Sequence, residues 1–450
     1  MSNSQSPHVL LINPPVYDFA LYDLFYRPYG LIRIGRWLEH SGYKISIIDC
    51  LDPYDTLSSS KLGSPKRNNN GTGKFFRERI QFPGDIIFKR KGFARYGIVP
   101  ESLKKKLFEI TPDIVLVTTG MTYWYVGVKE VIETVKSVYN HITVLAGGVY
   151  ASVMPDHCRD ICGADYVVKG NGEEYISNIF NLLGFGKPDA FEMDRLGAVP
   201  GSLENKKLWR GAGVIRLNNG CPLSCDYCAS KRICNGFEKG NPEKTALEII
   251  ELHEKYNLTS FAFYDDALLV SKEGVIKPFL ELIIQTGKKF NFYTPNAVHM
   301  EFLDAETCTL MKKAGFKEIR LGLESAEQQF HDEYDNKLGV EHFSRVLQML
   351  RKAGFGEHEI MIYVLAGLPG QNADKVKKTV EYAGPKGAAV HIAEYSPIPG
   401  TVLYDKSCKL SRYPLDKDPL YHNNSLFPME WEGFTAEDLS EIKKLSRAYR

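Results

Sequence analysis

"VIRLNNGCPLSCDYCASKRIC", residues 214–234, holds four of the chain's nine cysteines within fourteen consecutive positions. It opens on a short, mostly apolar run and breaks at Asn-Asn-Gly, the pattern of a buried strand entering a loop. Cys221, Cys225 and Cys228 follow at once, with C-x3-C-x2-C spacing. Three close thiols point to a metal centre, and the spacing narrows which one. Zinc ribbons and fingers present two C-x2-C pairs, or one such pair with two histidines. Here there is a single C-x2-C, with no second pair at zinc-finger distance. Cys234 and His253 are poorly spaced to complete such a site. An iron–sulfur cubane that only carries electrons takes four thiolates. Three thiolates leave one iron open to a substrate or cofactor. On this reading Cys234 is a neighbour of the centre and not a ligand; a zinc site or a set of redox thiols is the alternative.

Working outward, the strand at 214–217 begins a series. Further strands are predicted at 260–266, 290–295, 318–324, 359–367 and 389–397. Helical patterns lie between them, near 242–256, 272–287, 304–314, 340–354 and 373–385. Six β/α units predict parallel strands that close, or nearly close, into a barrel over 211–400. In such barrels the chemistry sits on loops at the carboxyl ends of the strands. The cysteine loop occupies that position after the first strand. Asp265 and Asp266 follow the second strand, Asn296 the third, and Glu324 and Ser325 the fourth. "LAGLPGQ" follows the fifth, where Gly367, Pro369 and Gly370 suit close approach of the backbone to a ligand. The tail, 401–450, reads as irregular structure and a last helix with Thr435 as N-cap and Glu437 and Asp438 in its first turn.

Upstream, apolar runs at 8–14, 44–50, 113–119, 142–148 and 165–170 alternate with helical patterns at 30–43, near 126–139 and at 173–185. Repeated units of this kind predict an α/β domain over 1–185, a doubly wound parallel sheet of the Rossmann type. An insertion at 52–106 interrupts it. Residues 61–106 hold 13 Lys and Arg against Glu78, Asp85 and Glu101, a net of +10. Interleaved Phe75, Phe76, Phe82, Phe88, Phe93 and Tyr96 favour packing over disorder. The segment reads either as a solvated insertion or as a basic lid over an anionic ligand. Residues 186–210 read as a linker. Cys158 and Cys162 lie four apart, on one face of a helix beside His157, and are read as small buried residues. Cys50, Cys308 and Cys408 are isolated.

Composition limits the function classes. The net charge is +1, which gives no general basic field for nucleic acid. No apolar run approaches the ~18 residues of a membrane span, and the N-terminus lacks a secretory pattern. Odd, scattered cysteines are unlike a secreted disulfide scaffold and suit a reducing cytoplasm.

The cysteine spacing, with an aromatic residue, Tyr227, just before the third cysteine and a strand before the loop, resembles the radical S-adenosylmethionine (SAM) superfamily. The resemblance implies a [4Fe-4S] cluster on Cys221, Cys225 and Cys228, its open iron chelated by SAM, which an electron cleaves to a 5′-deoxyadenosyl radical. It further implies SAM contacts at Tyr227, Asp265, Asp266, Asn296, Glu324, Ser325, Gly367, Pro369 and Gly370, with "YSPIPGT" closing the adenine side. "INPP", "MTYWYVGVKEVIETV", "LAGGVYASVMPDH" and "GADYVVKGNGEE" resemble the cobalamin-binding domain fused to many of these enzymes. By that resemblance Asn13, Pro14, Pro15, Met121, Thr122, Tyr123, Trp124, Gly147, Gly148, Val149 and Tyr150 would face cobalamin, although no D-x-H-x-x-G motif is present to supply a cobalt ligand. The expected activity is cobalamin-dependent methylation of an unactivated carbon in a small-molecule substrate, an anionic one on the basic-lid reading. An electron donor such as flavodoxin or ferredoxin would supply the electron. The alternative is radical oxidation, rearrangement or C–S bond formation without methyl transfer, on a domain that has lost cobalamin.

Overall fold

The computed structural model describes residues 6–83, 92–190, 206–234, 236–337 and 340–449. The chain divides into two compact units, Met1–Ala212 and Gly213–Arg450. In chain order the first contains β1 (His8–Asn13), β2 (Val16–Asp18), β3 (Lys44–Asp49), β4 (Arg77–Arg79), β5 (Ala94–Tyr96), β6 (Ile114–Thr119), β7 (Thr143–Gly148) and β8 (Tyr166–Val168). Five of these form a parallel sheet in the order β3-β1-β6-β7-β8. Its registers run Val9↔Ile45, Val9↔Ile114, Val115↔Val144 and Leu145↔Tyr166. Helices cover the sheet, so its central strands are near-continuous apolar runs. Leu10, Ile12, Val115, Val117 and Val144 pack there against Val128, Val131 and Ile132 of the helix Tyr125–Val138.

Gly127 marks how closely that helix lies. A Cβ at this position would stand 1.8 Å from the carbonyl oxygen of Pro15. Backbone atoms on both sides leave no flexible end to yield. Gly127→Ala is therefore expected to destabilise the unit by about 2 kcal/mol or more, read as a lower urea midpoint at unchanged slope.

The described part of the insertion is folded. It supplies β4 and β5, which with β2 make an antiparallel sheet in the order β2-β5-β4, and the helices Thr56–Leu62 and Pro100–Phe108. Phe75, Ala94 and Tyr96 are buried with Val16 and Leu51. Part of the positive charge is paired within the unit. Arg95 forks onto Glu130 at 2.6–3.1 Å, Arg67 reaches Asp23 at 2.7 Å, and Lys61 and Lys106 meet Glu101 and Asp55 at 2.8 and 3.4 Å. These four cations answer acids of their own unit, while Lys66, Lys74, Arg77, Arg79, Lys104 and Lys105 are exposed. Asp85, Phe88, Lys89, Arg90 and Lys91 lie outside the described residues.

Asp23 gathers Arg27 at 2.9 Å and Arg210 at 3.4 Å as well as Arg67. Burial alone would push its carboxyl up, and the Arg27, Arg210 and Arg67 charges bring it below the usual carboxylate range. The stretch read as a linker thus ends inside the first unit. Leu208, Trp209 and Arg210 are buried, the Trp209 carbonyl accepts from Arg27 Nε at 2.8 Å, and Arg210 also pairs with Asp49.

The second unit holds β9 (Gly213–Ile215), β10 (Ser260–Phe263), β11 (Asn291–Tyr293), β12 (Ile319–Glu324), β13 (Ile360–Ala366) and β14 (Ala389–Glu394). They form two parallel three-stranded sheets, β9-β10-β11 and β12-β13-β14. Between β11 and β12 only single bridges occur, Phe292↔Phe316 and Val298↔Leu321. The barrel is therefore partial, with a thin seam halfway round. Phe261, Phe263, Phe292 and Phe316 pack beside that seam with Phe279 of the helix Lys277–Gln285, and Phe263 and Phe316 stack at 5.4 Å. The last helix, Ala436–Arg447, begins as its sequence predicts. Thr435 accepts from the Asp438 N–H, and the Asp438 carboxylate accepts from the Thr435 N–H in return. Among the described residues no helix is long and apolar enough to cross a membrane.

Candidate active site

The cysteine loop leaves the carboxyl end of β9 and is gripped from below. Asp265, at the end of β10, accepts from the backbone N–H groups of Leu217 and Asn218 at 3.0 and 2.5 Å. Asn218 donates to the Leu268 carbonyl and accepts from the Gly240 N–H. Beyond this clasp, Cys228 N–H closes a turn on the Cys225 carbonyl at 3.0 Å. Cys221 and Cys225 are partly exposed and Cys228 is exposed. Burial raises the Cys221 thiol, and it pushes Cys225 up to about 11. Among the described residues no three His, Cys, Asp or Glu side chains converge tightly enough for a single metal ion, this trio included. Three soft thiol donors on one loop suit an iron–sulfur centre. Cys234 is buried with its Sγ 3.7 Å from Asn219 Oδ1.

A second clasp joins this loop to the end of β12. Tyr227, between the second and third cysteines, donates to Asp335 Oδ2 at 2.9 Å. Lys337 Nζ lies 3.1 Å from Glu324 Oε1, 3.3 Å from Tyr227 Oη and 3.7 Å from Asp335 Oδ2. The Asp226 N–H donates to the Tyr334 carbonyl at 2.9 Å. His331 is held by Asp335 Oδ1 and the Ser325 carbonyl, each at 2.9 Å. Burial lowers the His331 pKa, and its bond to Asp335 more than reverses that. Burial likewise opposes the charge on Lys337, which Glu324 and Asp335 restore beyond its ordinary strength. Glu324 itself has φ +59°, with the ladder slipping between Gly322 and Glu324. A glutamate in the left-handed region costs on the order of 1 kcal/mol and persists only where its surroundings hold it. Here Lys337 holds it. Asp335, Lys337 and His331 were not among the sequence-derived candidates.

The other rim candidates divide. Asp266 and Asn296 are exposed, and Asn296 Nδ2 donates to the Asp265 carbonyl at 3.2 Å. Gly370 stands open at φ +79°. Three candidates are corrected. Asp265 is 3% exposed and committed to backbone N–H groups, so it shapes the loop and does not face the rim. Pro369 is buried. The space before Gly367 is filled by Phe427, 2.8 Å from where a Cβ would be, so its bare Cα serves packing with the tail. Gln371 fixes this turn instead, accepting from the Gly367 N–H at 2.7 Å. His299, unforeseen, has a buried Nδ1 without a hydrogen-bond partner. Burial, with the Lys337 charge, brings its pKa down to about 4.

Burial pushes the Asp265 carboxyl up to about 7. A carboxyl raised above its unfolded value contributes stability at low pH that is lost as pH climbs to its folded pKa. Against wild type, the urea midpoint of Asp265→Asn is therefore expected to shift in the variant's favour between pH 4 and pH 7. A gap that stays constant over that range would show that the carboxyl does not titrate there.

The first unit has a cleft of its own, of about 550 Å³ with its open mouth. It lies at the carboxyl edge of the parallel sheet, where doubly wound folds bind ligands. Thr118, Gly147, Gly148, Val168, Gly170 and Gly172 line it with the helix residues Leu31 and Ile34. Of the residues expected to face a corrinoid, Gly147 and Gly148 line this cleft, Val149 is half-buried next to them, and Met121 is exposed elsewhere on the unit. The rest are buried or engaged in contacts of their own unit. Asn13, Pro14 and Pro15 are buried, with Asn13 Nδ2 spent on Asp49 at 2.7 Å. Thr122 and Tyr123 are buried, and Trp124 donates to Asp18 Oδ2 at 2.8 Å. Tyr150 is wholly buried, its hydroxyl 2.6 Å from His157 Nδ1 and 3.5 Å from Cys162. Aromatic density alone does not distinguish a cofactor wall from a core, and here the core took these rings.

A profile of the radical SAM superfamily matches residues 215–383, and one of the B12 binding domain matches residues 96–180. Over 361 residues the chain is 23% identical to the anaerobic magnesium-protoporphyrin IX monomethyl ester cyclase of Cereibacter sphaeroides, covering 71% of this chain and 58% of that protein. It thus spans less than two thirds of that relative. It is 20% identical over 503 residues to the cytidylyl-2-hydroxyethylphosphonate methyltransferase of Streptomyces wedmorensis, covering 96% and 88% of the two. Among solved structures, the radical S-adenosylmethionine methyltransferase TsrM from Kitasatospora setae, with cobalamin and a [4Fe-4S] cluster bound, matches at a TM-score of 0.67. That likeness is at 14% identity and covers 99% of this chain and 89% of that one.

Proposed function

As a chain that carries a radical SAM domain behind a B12-binding domain, this protein, we propose, is a radical SAM enzyme that methylates an unactivated carbon with the help of cobalamin. The single observation that carries the first part is the cysteine loop clasped to the end of β12 through Tyr227, Lys337 and Glu324. Cys221, Cys225 and Cys228 would hold a [4Fe-4S] cluster. Glu324, Asn296 and Gly370, with Asp266 and the Tyr227 ring nearby, are the groups offered to SAM, while Ser325 is buried with its Oγ accepting from the Glu327 N–H at 3.1 Å. The glycine-rich cleft of the first unit would take the flat, apolar end of a corrinoid's nucleotide tail. When bound, these groups supply reductive cleavage of SAM to a deoxyadenosyl radical and a methyl group for transfer. The chain's own work is to fix the loop through Asp265, to hold Glu324 in its uncommon conformation, and to keep His299 neutral beside Lys337.

The substrate is a small molecule. An anionic substrate remains the reading suggested by Lys74, Arg77 and Arg79, which are exposed on and beside the edge strand β4. The electron would come from a flavodoxin or ferredoxin in a reducing, cytoplasmic setting. Anaerobic protein given SAM, reductant and substrate should release both 5′-deoxyadenosine and S-adenosylhomocysteine. Deoxyadenosine alone, from protein that binds no corrinoid, would point to the second reading, radical chemistry without methyl transfer. The burial of Asn13, Tyr123 and Tyr150 is the observation that favours it.

A further inference from the structure

Lys337 is a cation placed where the cluster loop and the end of β12 meet. Its side chain is 11% exposed, yet no acid close in sequence on a helix face explains it. Its three neighbours come from three places: Glu324 at a strand end, Asp335 after the helix Gln328–Tyr334, and Tyr227 from the cysteine loop. Nζ also sits 5.9 Å from the Tyr227 ring centroid, so the ammonium contacts both the oxygen and the face of that side chain. Tyr227 stands between Cys225 and Cys228, and Lys337 is within electrostatic reach of the Cys225 sulfur. A buried ammonium with neighbours so distributed does more than neutralise one carboxylate.

We propose that Lys337 is a positioning residue with an electronic role: it pins Tyr227 to Glu324, and its fixed charge beside the cysteine loop eases the addition of an electron to the cluster. The inference rests on the cluster reading above. The physical reason is simple. Reduction adds one negative charge to a centre already surrounded by thiolates. A cation held close in a poorly hydrated setting stabilises the reduced form more than the oxidised one. Asp335 and His331 keep the ammonium from swinging out, since Asp335 bonds Tyr227 through one oxygen and His331 through the other.

The test uses the full chain, reconstituted anaerobically with iron and sulfide, without SAM. Potentiometric titration with dithionite and mediators, followed by electron paramagnetic resonance, reads the midpoint potential, and iron and sulfide are counted in parallel. Lys337→Met is expected to keep its iron and shift the midpoint to a more negative potential. Lys337→Arg, which keeps the charge, is expected to recover most of that shift. A Lys337→Met protein with full iron and an unchanged midpoint would overturn the proposal. So would equal loss of iron from both variants, because charge would then not be what matters. If wild type itself assembles no cluster, the cluster reading has failed and not this inference alone.

Discussion

Cys225→Ala is expected to abolish SAM cleavage while leaving the protein folded. The loop around Cys225 is held by groups the substitution does not touch. These are Asp226 N–H on the Tyr334 carbonyl, Tyr227 on Asp335, and the Asp265 grip on Leu217 and Asn218. Cys225 is only half-buried, so its loss opens no large core cavity. What is lost is one of three soft donors, and two thiolates do not retain a cubane. Iron content should fall towards zero, and 5′-deoxyadenosine should drop by at least about 100-fold, which is roughly 2.7 kcal/mol of lost transition-state stabilisation. Cys234→Ala is the control. Cys234 is buried against Asn219, so its truncation should lower stability by roughly 1 kcal/mol while iron stays complete. Near-normal deoxyadenosine from Cys225→Ala would remove the cluster assignment. Iron lost from Cys234→Ala would restore a four-thiolate site.

Gly147→Leu is expected to end corrinoid binding. A Cβ at Gly147 would meet nothing nearer than Val168 at 3.5 Å, an ordinary contact, so the backbone accepts a side chain there. A leucine then has one place to go, the cleft that Gly147 lines. Filling it should displace the nucleotide tail and cost cobalamin at least about 100-fold in affinity, roughly 2.7 kcal/mol, with little change in the urea midpoint. Titration with hydroxocobalamin, followed by its visible absorbance after gel filtration, measures this. An affinity equal to wild type would move the corrinoid out of this cleft. Gly147→Ala, with its single methyl, should fall between the two.

What the sequence makes legible follows from which forces are local. Buried parallel strands are apolar because both faces are covered, so "HVLLIN" and "DIVLVTT" announce themselves, and Gly and Asn mark where they stop. The cysteine loop is legible for the same reason: its three donors lie within eight residues. Lys337, Asp335 and His331 are not. "FHDEYDNK" looks like any solvated helix end, and only the fold carries it against Tyr227, 108 and 110 positions away in sequence. The pairing inside the basic insertion was hidden for a related reason. A charge count is additive along the chain, but the acids that answer Arg67 and Arg95, Asp23 and Glu130, lie outside the segment that was counted. The spacing of Phe75, Phe93 and Tyr96 was the better guide, since it foretold packing. Asp265 shows the limit of reading a strand end as a site. Its place at the carboxyl end of β10 was legible, but not the two N–H groups that turn it inward.

The seam between β11 and β12 bears on what the enzyme can admit. Asn296 and His299 stand on one lip of it, Glu324 and Ser325 on the other. Across it run isolated hydrogen bonds such as Val298 N–H to the Arg320 carbonyl at 2.7 Å, with no continuous ladder. Elsewhere in the unit, moving a strand means breaking a row of paired peptides. Here rings such as Phe292 and Phe316, 5.4 Å apart, back the seam together with Phe279 of the helix Lys277–Gln285. Widening the unit along this line therefore breaks fewer peptide hydrogen bonds than parting any two of its laddered strands.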